Sequence, residues 1–207
     1  MRRPKLLLPW HGGRTIIEDV AGRARAAVSN VIVVTGHHAT AAAAALRDHD
    51  VQIIHNADYG AGEMISSVKA GVAALSRACE AFFLVLGDQP GVAAATFARL
   101  IDAWNANASA RIISPTWNNR RGHPVLFSAA GIDEILKLPA DATLKTYVER
   151  HAGRSIEAEV DDPAVCADVD TPQQYRRLVA GEAPGAAGAA ALNIGSQSCP
   201  TEAIAAD

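Results

Sequence analysis

An aspartate placed directly after a buried-looking strand is the first candidate for chemistry in this 207-residue chain. Ala81-Phe-Phe-Leu-Val-Leu86 is strongly apolar, and Gly87-Asp88-Gln89-Pro90 ends it abruptly. A carboxylate there leaves the core beside a cleft and can hold a cation or a ligand. A turn-forming aspartate before Gln-Pro is the plainer alternative. Asp168 and Asp170 form a second acidic pair, on an extended segment where alternate residues share one side and Val169 turns away. Thr171-Pro172 also has the residues of a helix start, so two solvated acids in a capping segment are the alternative there. Carboxylates from two distant strands are what Mg²⁺–triphosphate chemistry needs. Mg²⁺ takes one or two carboxylates and completes its shell with phosphate oxygens and water.

Three further segments carry polar groups that a phosphate-bearing ligand could use. Lys5 stands between Pro4 and the apolar run Leu6-Leu7-Leu8, and a lysine suits phosphate as a compact point charge. In Gly60-Ala-Gly-Glu-Met-Ile-Ser-Ser-Val-Lys-Ala-Gly71, the glycines allow close backbone approach. Ser66 and Ser67 sit where a helix N-terminus could receive an anion or a base edge, although a Ser-Ser cap is common. Gly122-His123-Pro124 sets an imidazole beside a restricted backbone, for a structural role or for contact with a substrate. His37-His38 reads as a loop pair at a strand end and, with no third ligand nearby, not as a metal site.

The elements that must position these groups alternate. Strands are expected at Val31–Gly36, Val51–Ile54, Ala81–Leu86, Ala110–Ser114 and Ser155–Val160, with Gly122–Phe127 extended. Helices are expected at Ala41–Arg47, Ser66–Cys79, about Ala93–Asn105, Gly131–Leu138, Thr143–His151 and Pro172–Val179. This pattern predicts an α/β fold with a mostly parallel sheet covered on both faces. Ligands in such folds sit outside the carboxyl ends of the strands, which puts Gly87-Asp88 at the mouth of the site. The chain is long enough for one domain, 1–180. From Gly181 to 207 it is Ala/Gly-rich without sustained periodicity, and an unstructured tail is expected.

Composition narrows the partners. A net charge of -3 argues against nucleic-acid or membrane-surface binding and suits a small anionic ligand in a locally basic pocket. Cys79, Cys166 and Cys199 are odd in number and widely spaced, neither a disulfide framework nor a zinc pattern, so a reducing cytoplasm is the expected location. No apolar run approaches the ~18–20 residues of a membrane span, and the N-terminus lacks the long apolar core of a signal peptide.

Taken in order, the segments resemble the molybdenum-cofactor nucleotidyltransferases, most closely their molybdopterin cytidylyltransferase branch. The stretches are Arg3–Pro9, Val33–His37, Gly62–Gly71, Leu86–Pro90, Arg121–Phe127, and Val160–Pro163 with Asp168–Pro172, and they run to about Arg177. The resemblance implies a Rossmann-like three-layer nucleotidyltransferase fold. It also implies Mg²⁺-dependent transfer of CMP from CTP to molybdopterin with release of pyrophosphate. By the same resemblance Asp88 and Asp170, with Asp168 beside it, hold Mg²⁺, and Lys5 neutralises the triphosphate. Ser66, Ser67 and Gly71 line the nucleotide, and Gly122-His123-Pro124 lies near the pterin. A guanylyl- or sugar-phosphate nucleotidyltransferase is the alternative within the class. Outside it stands an inactive accessory that binds the molybdenum cofactor for a molybdenum hydroxylase.

The chain departs from the family pattern at its start. The family motif begins with a strand, Ala-Ala-Gly, a small turn and Arg-Met-Gly before the Pro-Lys, and here only Met1 of that is retained. The missing strand is central in such sheets, so its loss would orphan ladder groups of its neighbours at ~1–3 kcal/mol each. A start upstream of Met1 is the expected explanation; a degenerate copy, or another segment filling the gap, are the others.

Overall fold

The computed structural model describes residues 4–60, 64–181 and 201–206. Arg2, Arg3, Gly62 and 182–200 of the expected tail lie outside the described residues. The helices are α1 (Ile16–Ala27), α2 (Ala39–Ala45), α3 (Ile65–Ala73), α4 (Ala94–Asn105), α5 (Ile132–Leu136), α6 (Leu144–Arg150) and α7 (Pro172–Val179). The strands are β1 (Asn30–Thr35), β2 (Gln52–His55), β3 (Ala81–Leu86), β4 (Ile112–Trp117), β5 (Arg120–Arg121), β6 (Val125–Ser128), β7 (Ser155–Glu159) and β8 (Thr201–Ala206).

The strands form one sheet in the order β2-β1-β8-β3-β6-β4-β5, with β7 paired to β4. Pairing is parallel from β2 through β3 and between β4 and β7, and antiparallel where β6 joins β3 and β4. The period-two alternation of strand side chains feeds two cores. Val31 and Val33 of β1 and Phe83 and Val85 of β3 pack on Ile16 and Val20 of α1 and Phe97 and Leu100 of α4. Ile32 and Val34, with Phe82 and Leu84, face Ile65 and Val68 of α3, Ile135 of α5 and Tyr147 of α6. That is the expected three-layer α/β arrangement. No described helix is long and apolar enough to cross a membrane.

Four local outcomes differ from the sequence reading. Helix α1 was not expected, yet Thr15 and Glu18 form a capping box at its start, satisfying N-terminal N–H groups reciprocally. Helix α3 ends at Ala73 rather than Cys79, where the Ala74 and Leu75 N–H groups turn back to the Gly71 and Val72 carbonyls. Asn118 and Asn119 both have positive φ (49° and 61°), the requirement of the tight turn that closes the β4–β5 hairpin.

The fourth difference is the largest. An unstructured tail was expected from Gly181, and Thr201–Ala206 corrects that for its own six residues. They form β8, parallel to β1 on one side (Asn30 opposite Glu202, Val34 opposite Ala206) and to β3 on the other (Ala81 opposite Thr201, Leu86 opposite Ala206). An interior strand obtains its hydrogen bonds from both neighbours, so its stability is non-local and invisible to composition. β8 therefore lies at the centre of the parallel part of the sheet, between β1 and β3.

Candidate active site at the carboxyl ends of the parallel strands

Lys5 enters the site because the residues around it are anchored. Residues Lys5–Leu7 form a 3₁₀ turn with Leu6 buried, and Leu7 and Leu8 pack against the same core. The Ile16 N–H then donates to the Leu8 carbonyl, and the Tyr175 hydroxyl of α7 donates to the Pro9 carbonyl at 2.6 Å. With the apolar residues held inward, the Lys5 ammonium lies 2.6 Å from Asp88 Oδ2 and 3.2 Å from Asp170 Oδ1.

Each carboxylate is set from the backbone. Asp88 follows β3 by one glycine, and its main-chain carbonyl accepts the Val169 N–H at 3.0 Å. Asp170 stands before the α7 cap, where Thr171 and Gln174 form a capping box and the Gln174 amide oxygen also accepts the Asp170 N–H. Burial by itself lowers the pKa of Lys5; the Asp88 and Asp170 carboxylates outweigh it, and the net shift is upward.

Asp168 is placed differently from its neighbour. Its Oδ1 accepts from the amide of Gln89, a buried side chain directly after Asp88. The acidic pair therefore divides: Asp170 faces Lys5 while Asp168 is tied to the β3 exit. Gln89 was missed from sequence, where it read only as part of a turn.

Gly122, His123 and Pro124 come together with the Asp162–Cys166 turn. A Cβ on Gly122 would lie 2.1 Å from the Val165 carbonyl oxygen, and the His123 N–H donates to that same carbonyl at 2.9 Å. Asp162 secures the turn by accepting from the Ala93 and Ala164 N–H groups and the Thr96 hydroxyl. Burial depresses the His123 pKa, while the Asp168 and Asp88 charges push it partly back. The imidazole lines a cavity of about 360 Å³ with Leu84, Ser114, Gly122 and Val148, and Arg121 and Lys145 add positive charge to its lining.

The serine segment forms a third corner. Ser66 and Ser67 occupy the first turn of α3, and both hydroxyls accept from the side-chain amide of Asn56, another residue missed from sequence. Gly71 lies in the same helix, buried and more than one turn beyond the serines. His37 and His38 contact each other edge-on at 4.5 Å, and His37 and His55 both flank Tyr59.

The arrangement can be tested for a divalent cation. Two carboxylates from separate segments converge on one cationic atom, the Lys5 ammonium nitrogen, which stands in for an ion at that point. Both are hard oxygen donors of the kind Mg²⁺ and Mn²⁺ prefer. No cluster of three or more His, Cys, Asp or Glu that could hold a metal occurs among the described residues. Asp88 and Asp170 thus fit a cation that shares its shell with a ligand's phosphates and water, rather than one caged by protein.

The fold is a parallel-rich α/β sheet in which a lysine and two carboxylates meet at the carboxyl edge. The chain belongs to the MobA-like NTP transferases: the sequence profile of the MobA-like NTP transferase domain matches residues 1–156. It is a nucleotidyltransferase. It is 29% identical over 172 residues to the molybdenum cofactor cytidylyltransferase of Escherichia coli (strain K12), covering 83% of this chain and 84% of that protein. Rv0371c from Mycobacterium tuberculosis H37Rv is similar at a TM-score of 0.72 and 30% identity, covering 86% of this chain and 89% of its own. Its complex with manganese gives a TM-score of 0.67 at 31% identity, with 86% and 92% covered. A nucleotidyl transferase from Methanothermobacter thermautotroptrophicus reaches 0.72 at 25% identity, with 86% and 84% covered.

Proposed function

We propose that this chain transfers CMP from CTP to molybdopterin, releasing pyrophosphate, as a step in making the molybdenum cofactor. The observation that carries the reading is the meeting of Lys5, Asp88 and Asp170 at one point on the carboxyl edge of the sheet. The likeness to the Escherichia coli cytidylyltransferase supports the choice of nucleotide and acceptor.

The attacking group in this reaction is a phosphate, already anionic at neutral pH, so the site needs no general base. Lys5 exchanges its carboxylate partners for the triphosphate and neutralises charge as pyrophosphate leaves. Asp88 and Asp170 would hold Mg²⁺, with Asp168 fixing the β3 exit through Gln89. When bound, the ion supplies charge stabilisation on the phosphate oxygens. The cavity beside His123 offers apolar walls for a flat acceptor and the positive charges of Arg121 and Lys145 for its phosphate. Holding both reactants in line is then the main contribution of the protein.

The test is pyrophosphate release from CTP with molybdopterin, with and without Mg²⁺, beside GTP as competitor. Dependence on CTP, acceptor and metal together supports the reading. Equal or better turnover with GTP moves the chain to guanylyl transfer, and no turnover with either overturns it.

A further inference from the structure

We infer that Gln89 is a positioning residue that holds Asp168 out of the Asp88–Asp170 pair, and so limits the cation point to two carboxylates. This rests on the nucleotide-transfer reading above and deepens it, because the carboxylate count separates a site for a bare divalent ion from one for an ion shared with a triphosphate.

The side chain of Gln89 is buried, and its amide orientation follows from its partner. A carboxylate accepts and does not donate, so the group facing Asp168 Oδ1 is the NH₂, and the carbonyl oxygen points away. That oxygen, Oε1, is buried without a hydrogen-bond partner. A residue kept for packing alone gains nothing from an orphaned acceptor, since an apolar side chain of the same size avoids its cost. The main chain beneath the amide is already fixed. The Gln89 N–H donates to the Leu86 carbonyl at 3.2 Å, and the Val169 N–H donates to the Asp88 carbonyl at 3.0 Å. Those backbone bonds hold the two segments together, which leaves the side-chain bond to decide where Asp168 points.

No helix or turn runs from Asp168 to Asp170, and alternate residues of an extended chain lie about 7 Å apart on one side. Released from Gln89, Asp168 is free to turn toward the point where Lys5 meets Asp88 and Asp170. With two carboxylates, Lys5 and a divalent ion leave one positive charge there, which attracts a triphosphate. A third carboxylate cancels that charge. It also adds a ligand for a bare ion, whose affinity rises with the number of charged ligands, whereas Mg²⁺ shared with phosphates takes only one or two carboxylates. Gln89 therefore favours the ion that is shared with the nucleotide over the ion alone.

Gln89→Leu tests the inference in the full chain, with Gln89→Met as a second variant whose unbranched side chain fills the same space. Asp168→Asn is added to each to remove the released charge. Mn²⁺ affinity is measured by calorimetry without nucleotide, alongside melting temperatures and the KM and kcat for CTP at saturating Mg²⁺. Each single variant is expected to bind Mn²⁺ on the order of tenfold more tightly than wild type and to melt near the wild-type temperature. Each should also raise KM for CTP more than it lowers kcat. Adding Asp168→Asn is expected to return Mn²⁺ affinity to the wild-type value. Unchanged or weaker Mn²⁺ binding in the single variants overturns the inference, as does tightening that survives Asp168→Asn. A lowered melting temperature with unchanged Mn²⁺ binding assigns Gln89 to structure alone and overturns it as well. The Mn²⁺ arm uses no nucleotide, so it decides the inference even where turnover with CTP is absent and the functional reading falls. A wild type that binds no Mn²⁺, with or without CTP, overturns both together.

Discussion

The backbone N–H of Val169 donates to the main-chain carbonyl of Asp88 at 3.0 Å, joining two points 81 residues apart. That bond fixes the late acidic segment against the exit of β3. It leaves Asp170, one residue on, free to reach the same ammonium as Asp88. The site is therefore defined by backbone register first and by side chains second.

Asp88→Asn tests the carboxylate directly. The change keeps shape and polarity, removes one negative charge, and leaves the Val169 bond in place. Metal-dependent turnover is expected to fall by at least about a hundredfold, with the chain still folded by circular dichroism. Activity within a few-fold of wild type would remove Asp88 from the metal site.

Gly122→Ala probes the packing under His123. The added Cβ would meet the Val165 carbonyl oxygen at 2.1 Å and its carbonyl carbon at 2.6 Å, both backbone atoms that cannot rotate away. A stability loss of about 1–3 kcal/mol is expected in urea titration. Gly153→Ala is the control, since nothing lies within 4 Å of a Cβ there. Equal effects at the two glycines would contradict the close approach.

The alternating strands and helices, and the residues Lys5, Asp88 and Asp170, were legible because each signal is local. Ala81–Leu86 is apolar throughout, and the aspartate follows at once. Helix α1 was equally legible, from the capping pair Thr15 and Glu18 and from the apolar positions Ile16, Ile17, Val20, Ala21 and Ala24 on one face, although it was not expected. Asn56 and Gln89 were not legible: each acts through a buried amide whose partners are distant in sequence or across a turn. The different roles of Asp168 and Asp170 depend on Gln89 and on the α7 cap, which composition does not reveal.

Stability should depend on His123 below neutral pH. Its pKa in the folded chain is depressed from the ordinary 6.5 by burial. A depressed folded value means the unfolded chain takes up the proton more readily as the solution is acidified. The contribution is therefore fully present above about 6.5 and is lost as pH falls through the folded value. Urea midpoints measured from about pH 7.5 down to 5 are expected to decline less in His123→Gln than in wild type. Parallel declines would assign the effect to other groups.

Strand β8 yields the prediction that bears on the whole sheet. Ile204 lies opposite both Ile32 of β1 and Leu84 of β3, so it is interior in the sheet. Proline is excluded from such positions because it cannot donate to the ladder. Ile204→Pro should leave an opposing carbonyl without its donor, at about 1–3 kcal/mol for that group alone. The loss should be localised. Hydrogen exchange is expected to quicken at Val31–Val34 and Phe82–Val85, where the ladder to β8 lies, and to change little in the β4–β7 pair. If β8 contributed nothing to the sheet, exchange at β1 and β3 would match wild type, and the centre of the fold would have to be closed by some other segment. If exchange quickens only there, the last strand of this chain holds the two halves of its parallel sheet together and carries the strand ends that position Thr35, Asn56 and Asp88.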